Sequence, residues 1–452
     1  MNEVRGRQVV VIGLAASGLA AARVLRDQGA RVRVTEARPR DEVDDRARQA
    51  DDAGIEVLAG GHHPEHLDGA DLVVTSPGVA ESAEVLREVR RRRIPVWSEL
   101  ELGARLAACP YVGVTGTNGK TTTTEMVAAA MRRAGLDAIA CGNVGYPFSL
   151  AAAEGHQALA VEASSFQLRF HRSFRPRVSV LLNLAPDHID WHRSFEAYRS
   201  AKARVYELQS GDDVHVGNRD DAHAAAVSRD APCRIAWFTL DRPGDGEVGY
   251  RDGELVSRLG EARALGRPAS EAPSHLADAA AAAASVLAFG LDPEASGAAL
   301  RSFRPLPHRG TVVAEVDGVR FMDDSKATNP HAALGAIAGM RGVVLVAGGR
   351  SKGVDLSPLA AATPSLAAVV VLGEAADELT ALFEGRVPVR RAASIEEAVS
   401  EGSILAPAGG AVVLAPACAS QDMFRDYVER GDRFAAAVRS LARERKVGTP
   451  RG

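Results

Sequence analysis

The amino-acid sequence predicts an α/β fold built from three doubly wound domains. Three observations carry that expectation. The chain has 452 residues, and domains run to roughly 100–200 residues each, so several are expected. Short aliphatic runs alternate with helix-forming stretches throughout, the rhythm of parallel strands joined by crossover helices. The runs feed loops of glycine, small and polar residues, and in open α/β sheets ligands sit at those carboxyl ends. A composition of 46% hydrophobic, 25% charged and only 5% aromatic residues describes a globular protein with an aliphatic core.

The first domain is expected over residues 1–98. "QVVVIGLAASGLAAARVLRDQGARVRVTEAR" reads as strand, glycine turn, helix and a second strand ending near Thr35. "ADLVVTSPGV" adds a strand that ends at a Pro77-Gly78 turn, and "IPVWSELELGARL" changes character and leads into the next domain. The second domain is expected over 99–305 and opens on "CPYVGVTGTNGK", a strand entering a glycine turn. "ALAVEASS" and "RVSVLLNLAPDHID" follow as apolar strands ending in polar residues. "DRPGDGEVGYRDGELVSRLG" alternates weakly and reads as a small antiparallel excursion, before a helix at "APSHLADAAAAAASVLAFG". The Pro-rich "RPLPHRG" reads as a hinge into a third domain, 306–452, with strands in "GVRFMDDSKATNP", "GVVLVAGGRSKG", "LAAVVVLGEAADEL" and "GAVVLAPACASQDMF".

Several classes of function fall away on totals. The net charge is −4, which does not favour an extended nucleic-acid surface. The basic run at Arg87 and Arg90 to Arg93 reads as a solvated helix face followed by a strand. Cys109, Cys141, Cys233 and Cys418 are scattered without paired spacing, as in a reducing compartment and unlike a structural zinc site. No run reaches the ~20 apolar residues of a membrane span, and the N-terminus goes straight into a strand rather than a signal peptide. A cytoplasmic protein is therefore expected, with neither a membrane nor a nucleic-acid partner.

The richest stretch is "YVGVTGTNGKTTTTEM". A strand, the turn Thr115-Gly116-Thr117-Asn118-Gly119-Lys120 and a helix opening in threonines bring backbone N–H groups and a helix N-terminus to one point, an anion site by construction. Lys120 can neutralise phosphate oxygens and the Thr121 hydroxyl can reach a magnesium ion. The Walker A pattern is not met, because Val114 stands where its first glycine belongs. A plain strand-to-helix turn is the alternative, and the threonines and second glycine weigh against it. Glu162 ends a strand of the same sheet, either as a surface carboxylate or as the magnesium ligand of a P-loop ATPase-type domain. "DHIDWH" sets Asp187, His188, Asp190 and His192 at another strand end, which reads equally as a polar loop or a site. The turn "GLAASG" has Ala15 where a dinucleotide fingerprint has its middle glycine, which disfavours nicotinamide chemistry. A nucleotide diphosphate fits this Rossmann-like turn better, with Ser17 offering a hydroxyl and Glu36 placed for a ribose or base. In the third domain, also Rossmann-like, Asp324, Lys326, Thr328, Lys352 and Ser420 lie in loops suited to an anionic substrate, or to plain solvent.

In their order, "TGTNGKTTT", "EASSFQL", "NLAPDHID", "YRSAKARVY", "PHRG", "DDSKATNP" and "PACASQDMF" resemble the Mur ligases over nearly the full length, and specifically their D-glutamate-adding branch. The resemblance implies an ATP-dependent amide ligase of peptidoglycan synthesis. Its partners would be UDP-N-acetylmuramoyl-L-alanine and D-glutamate, with an acyl phosphate between them. It implies ATP at Gly116, Thr117, Asn118, Gly119, Lys120, Thr121, Thr122, Arg309 and Asp324. It implies two magnesium sites drawing on Thr121, Glu162, His188 and Lys202, with Lys202 carbamylated and Lys120, His188 and Lys202 catalytic. Ser17, Glu36, Arg38, Ser76 and Asn143 would meet the UDP substrate, and Lys326, Thr328, Lys352, Ser420 and Tyr427 the D-glutamate. Relatives often carry HNxxN near the adenine, whereas this chain reads "SHLAD", leaving His275 and Asp278 in those places. A monomer is expected. The rival readings are a ligase for another amino acid, a nucleotide-driven switch without product, and a dehydrogenase.

Overall fold

The computed structural model describes residues 3–79 and 82–447. Its strands form three sheets. The first holds β1 (Gln8–Ile12), β2 (Arg31–Glu36), β3 (Glu56–Ala59), β4 (Leu72–Thr75) and β5 (Val96–Ser98) in the order β3-β2-β1-β4-β5, every pair parallel. Strand residues alternate between faces, and here both faces are covered. Val9 and Val11 of β1 pack with Leu25, Val34 and Val74, while Val10 and Ile12 pack with Val73, Leu86 and Val89 on the other side. Two buried faces explain why "VVVI" is continuously apolar.

The second sheet contains β6 (Tyr111–Thr115), β7 (Ala138–Gly142), β8 (Ala158–Glu162), β9 (Val178–Leu181), β10 (Val214–Asn218), β11 (Arg234–Phe238), β12 (Glu247–Arg251), β13 (Glu254–Ser257) and β14 (Arg263–Gly266). Their order is β14-β13-β12-β11-β10-β9-β6-β8-β7. The glycine- and aspartate-rich stretch forms the antiparallel β12–β13 pair expected of it, and β14, just beyond it, extends the excursion. Strand β6 lies between β8 and β9, so the loop leaving it is flanked by the ends of both neighbours. Gly113 belongs to this strand rather than to the loop, and a Cβ there would stand 2.9 Å from the Phe174 ring. Packing, not phosphate, requires that glycine.

The third sheet holds β15 (Thr311–Val316), β16 (Val319–Asp323), β17 (Val343–Gly348), β18 (Leu366–Leu372), β19 (Val389–Arg391) and β20 (Ala411–Ala417), ordered β15-β16-β20-β17-β18-β19. It is parallel apart from the β15–β16 hairpin. Its core again splits by alternation: Val343, Leu345 and Val369 face one layer of helices, Val344, Val346 and Val370 the other. The chain forms two compact units. The first comprises residues up to 184 with Glu196–Ala269 and Ala277–Phe303, and so contains the first two sheets. The second comprises Ala185–Phe195, Ser270–Leu276 and the residues from 304 onward. Among the described residues no helix is long and apolar enough to cross a membrane, and the four cysteines are free thiols.

Candidate active site

In the first unit the loop after β6 is shaped by its glycines and by Asn183. Gly119 caps the helix Lys120–Arg133 at φ +85°, a left-handed conformation that favours glycine. A Cβ there would collide with the Asp278 carboxylate. At Gly116, φ +157°, a Cβ would meet Leu182 at 2.8 Å. Asn183 follows β9 and clamps the loop three times. Its carbonyl accepts from Thr117 N–H at 3.0 Å, its Oδ1 from Asn118 N–H at 2.8 Å, and its Nδ2 donates to the Asn118 carbonyl at 3.1 Å. Lys120 Nζ donates to the carbonyls of Gly116 (3.1 Å) and Thr117 (2.9 Å), so it lies over its own loop. Lys202, on the helix Phe195–Ala203, is buried and donates to the Gly116 carbonyl at 2.6 Å. Tyr198, one turn earlier, donates to the Thr117 hydroxyl at 3.1 Å.

Glu162 ends β8 and is buried. Its Oε1 accepts from Asn143 Nδ2 at 2.9 Å, while Oε2 is buried with no hydrogen-bond partner. An ionised carboxylate oxygen left bare in a buried place is costly, and a cation is the partner such an atom fits. Thr121 opens the adjacent helix with a half-buried hydroxyl. Among the described residues no group of three or more His, Cys, Asp or Glu side chains could hold a metal by itself. That donor set matches magnesium, which is commonly held by one or two carboxylates and completed by waters and phosphate oxygens. Asp278 accepts from the Thr123 hydroxyl at 3.3 Å, at the base of the same helix.

At the first sheet Ser17 lies in the opening turn of the helix Ala16–Asp27, and buried Ser76 donates to the Gly13 carbonyl at 3.3 Å. Glu36 differs from a free ribose acceptor. Its Oε2 takes the Leu14 N–H at 2.7 Å, and its Oε1 the Arg38 N–H at 3.1 Å and Nε at 3.0 Å. Burial alone would raise this carboxyl, but the Arg38 guanidinium and the two amides outweigh it and bring it to about 2. Glu36 therefore holds the glycine turn and Arg38 in place.

The second unit gathers the third-sheet loops and the segment around His188. Lys352, itself at φ +58°, pairs with buried Asp187 at 2.8 Å. Asp187 also accepts from Asn329 Nδ2 at 3.2 Å and from the His188 N–H at 2.9 Å. His188 is left-handed, φ +53°, an uncommon state for a non-glycine residue that clusters at functional sites. The Asp190 side chain lies outside the described residues. Asp323 binds His308 Nδ1 at 2.7 Å and the Ser325 N–H at 2.9 Å. Burial, with Asp323 adding, pushes the neighbouring Asp324 carboxyl up to about 7 against the pull of Arg309. Lys326 Nζ lies 3.9 Å from the centre of the Tyr427 ring, a cation–π contact. The Thr328 N–H donates to the Lys326 carbonyl, and Ser420 is buried under the turn that follows β20. Arg430, fully buried, ties the loops together by donating to the carbonyls of Ser325 (2.8 Å) and Cys418 (3.2 Å). His275 is buried in the first turn of the helix Pro273–Phe289, and burial lowers its imidazole.

Three family models match in order: "Mur ligase MurD-like, N-terminal domain" at residues 7–98, "Mur ligase middle domain" at 114–247 and "Mur ligase, glutamate ligase domain" at 308–418. The chain belongs to the Mur ligase family. A UDP-N-acetylmuramoylalanine--D-glutamate ligase of Frankia casuarinae is 44% identical over 450 residues, covering 96% of this chain and 94% of the relative. One of the same name from Thermobifida fusca is 41% identical, covering 97% and 100%. Among solved structures, a MurF from Acinetobacter baumannii aligns at TM-score 0.62 and 17% identity, covering 98% of this chain and 92% of that one. The UDP-N-acetylmuramate-alanine ligase of Thermotoga maritima aligns at 0.60 and 17%, covering 96% and 100%. At such identities the structures speak for the three-domain α/β fold alone.

Sequence reasoning assigned no role to Asn183, Tyr198, Asn329, His308 or Arg430. The first four lie inside motifs already quoted and Arg430 lies six residues past the last of them, yet nothing in the local pattern separates any of these from an ordinary polar residue. Asp187 reads from sequence equally as part of a polar loop or of a site.

Proposed function

We propose that this Mur ligase adds D-glutamate to UDP-N-acetylmuramoyl-L-alanine at the cost of ATP. The observation that carries the proposal is the buried Glu162 Oε2, bare beside a phosphate loop, in a chain whose relatives bear that activity in their name. The substrate carboxylate oxygen attacks the γ-phosphorus and ADP leaves, giving an acyl phosphate. The amine of D-glutamate then attacks the acyl carbon and gives up a proton, and inorganic phosphate departs. Three anionic groups must converge, so fixed cations and N–H dipoles at the loop supply much of the catalysis.

Gly116 to Thr122 cradle the ATP phosphates in this reading, with Lys120 moving from its own carbonyls onto them. Thr121 and Glu162, with His188, would hold magnesium, which supplies charge neutralisation to the phosphoryl oxygens. Lys202 belongs to the same reading as a carbamylated residue supporting a second site, its burial beside Gly116 fixing whatever charge it carries. His275, Asp278, Arg309 and Asp324 would meet the rest of ATP. Ser17, Glu36, Arg38, Ser76 and Asn143 would meet the UDP substrate, with Glu36 also holding the turn. Lys326, Thr328, Lys352, Ser420 and Tyr427 would take D-glutamate. Domain limits of 1–98, 99–305 and 306–452, a monomeric state and a cytoplasmic location complete the proposal. The test is phosphate release from ATP with UDP-N-acetylmuramoyl-L-alanine and each candidate amino acid. Release that requires D-glutamate is expected; equal release with L-alanine or L-glutamate, or none with any, overturns the assignment.

A further inference from the structure

The arginine run after the third helix of the chain finds no use in the ligation chemistry. The helix Glu84–Arg91 leads through it into β5. Arg90 and Arg93 from this run, with Arg169, Arg172 and Arg204, rim a cleft of about 630 Å³ in the first unit, within the usual size range of small-molecule sites. The apolar part of its lining is Leu86, Ile94, Pro95, Val96 and Phe170. The cleft lies at the amino end of β5, whereas the turns after β1 and β4 that carry Ser17 and Ser76 lie at the opposite, carboxyl edge of the same parallel sheet.

Among the described residues that line the cleft none is acidic. Arg204 is held in place, donating to the carbonyls of Arg169 (2.6 Å) and His171 (2.8 Å) while pairing with Glu207 at 2.7 Å. His171, also in the lining, is buried, and its Nε2 faces the Arg204 carbonyl at 3.0 Å. That contact places the hydrogen on Nε2 and leaves Nδ1 as an acceptor, and Nδ1 is buried without a hydrogen-bond partner. Guanidinium groups recognise phosphate, and those of Arg90, Arg93, Arg169 and Arg172 line the cleft beside Arg204, whose own N–H groups are committed to Glu207 and two carbonyls. The apolar part of the lining takes a planar or aliphatic body, and the orphan acceptor takes a hydroxyl. We propose that this cleft is a binding site for a small organic phosphate, a sugar or nucleoside phosphate with its phosphates on the arginines and its body over Phe170.

The site is separable from the phosphate loop by experiment. Calorimetric titrations use the full-length protein held in saturating Mg·ADP, with inorganic tripolyphosphate and CTP as probes. Both probes are expected to bind, and to bind still when Lys120→Ala disables the loop. Charge reversal at Arg93→Glu/Arg172→Glu, two positions outside the ligation machinery, is expected to weaken both by about tenfold or more, since each lost charge-assisted contact is worth that order. Phe170→Ala is expected to weaken CTP and leave tripolyphosphate unchanged, with basal ligase activity reporting that the variants are folded. Affinities unmoved by the charge reversal overturn the site. A Phe170→Ala variant that holds CTP as tightly as before overturns the organic body and with it the proposed ligand class.

Discussion

Asn183 donates and accepts at the same residue of the phosphate loop, through Oδ1 to the Asn118 N–H and Nδ2 to the Asn118 carbonyl. Removing it takes the Oδ1 acceptor from a partly buried amide and leaves a glycine-rich turn without its brace. Asn183→Ala is expected to raise KM for ATP about tenfold, on the scale of one lost hydrogen bond plus a stranded donor, which steady-state kinetics at varied ATP will read. Glu162→Gln tests a different property. The amide oxygen can still accept from Asn143 Nδ2, but the bare anionic oxygen is gone, so the magnesium concentration for half-maximal activity should rise by about tenfold or more. An unchanged magnesium titration would remove Glu162 from the metal site. At this scale the sequence reveals the residues whose chemistry is distinctive in its setting, such as Lys120 after two glycines and Glu162 after four apolar residues. It conceals those that act through placement. Asn183 and Arg430 are ordinary polar residues until the fold brings them to a loop carbonyl or amide far along the chain. The hold of Glu36 on Leu14 and Arg38 is likewise hidden in the sequence, because those contacts depend on how the glycine turn closes.

Elements were more legible than residues, because hydrophobic alternation records which faces are buried. Strands β1, β4, β8, β17, β18 and β20 all lie in runs that are apolar because helices cover both sides of their sheets. Strand β15 escaped notice: Thr311–Val316 is a largely exposed edge strand, so burial imposed no strong pattern on it. The helix Glu99–Leu106 is legible at its start, where Ser98 caps the Glu101 N–H, but its first carboxylate is not. Glu99 is buried, and burial pushes its carboxyl up to about 7 although the Ser149 N–H donates to it at 2.7 Å. The native state thus keeps this proton between the unfolded value near 4.3 and about 7. Native stability from this group is greatest below the unfolded value and is lost as pH rises through 7. Glu99→Gln retains a carbonyl acceptor for Ser149 and has no charge to bury. It should be more stable than the parent at pH 8.5 by roughly 1–3 kcal/mol, a gap that closes near pH 4, with urea midpoints as the readout. A gap that does not vary with pH would mean that the Glu99 carboxyl binds its proton equally well in the native and unfolded states.

On the scale of the whole molecule, the two compact units carry different parts of the proposed ligand-binding machinery. The first contains the phosphate loop with Glu162 and the turns of the first sheet; the second contains Lys326, Lys352, Ser420 and Tyr427. A ligand that binds only the folded form of one unit stabilises that unit, by about 2.7 kcal/mol at a hundredfold excess over Kd. For a unit of this size such a gain moves its transition by a few degrees, about 2–4 °C per kcal/mol. Multidomain chains need not melt in one step, so the ligands can be used to label the transitions. Calorimetric scans with a non-hydrolysable ATP analogue and magnesium are expected to raise the transition of the unit that holds the phosphate loop. D-glutamate alone is expected to raise the other, and Lys352→Ala to abolish the second shift while leaving the first intact. Lys352 is the decisive position, because its ammonium already pairs with Asp187 in this structure. If Lys352 takes D-glutamate as proposed, the amino acid must compete with that carboxylate or share the cation with it. Asp187→Asn should therefore strengthen the D-glutamate shift if the two carboxylates compete, and weaken it if Asp187 is what holds Lys352 in place. An Asp187→Asn protein with an unaltered shift would mean that Lys352 does not touch the amino acid at all.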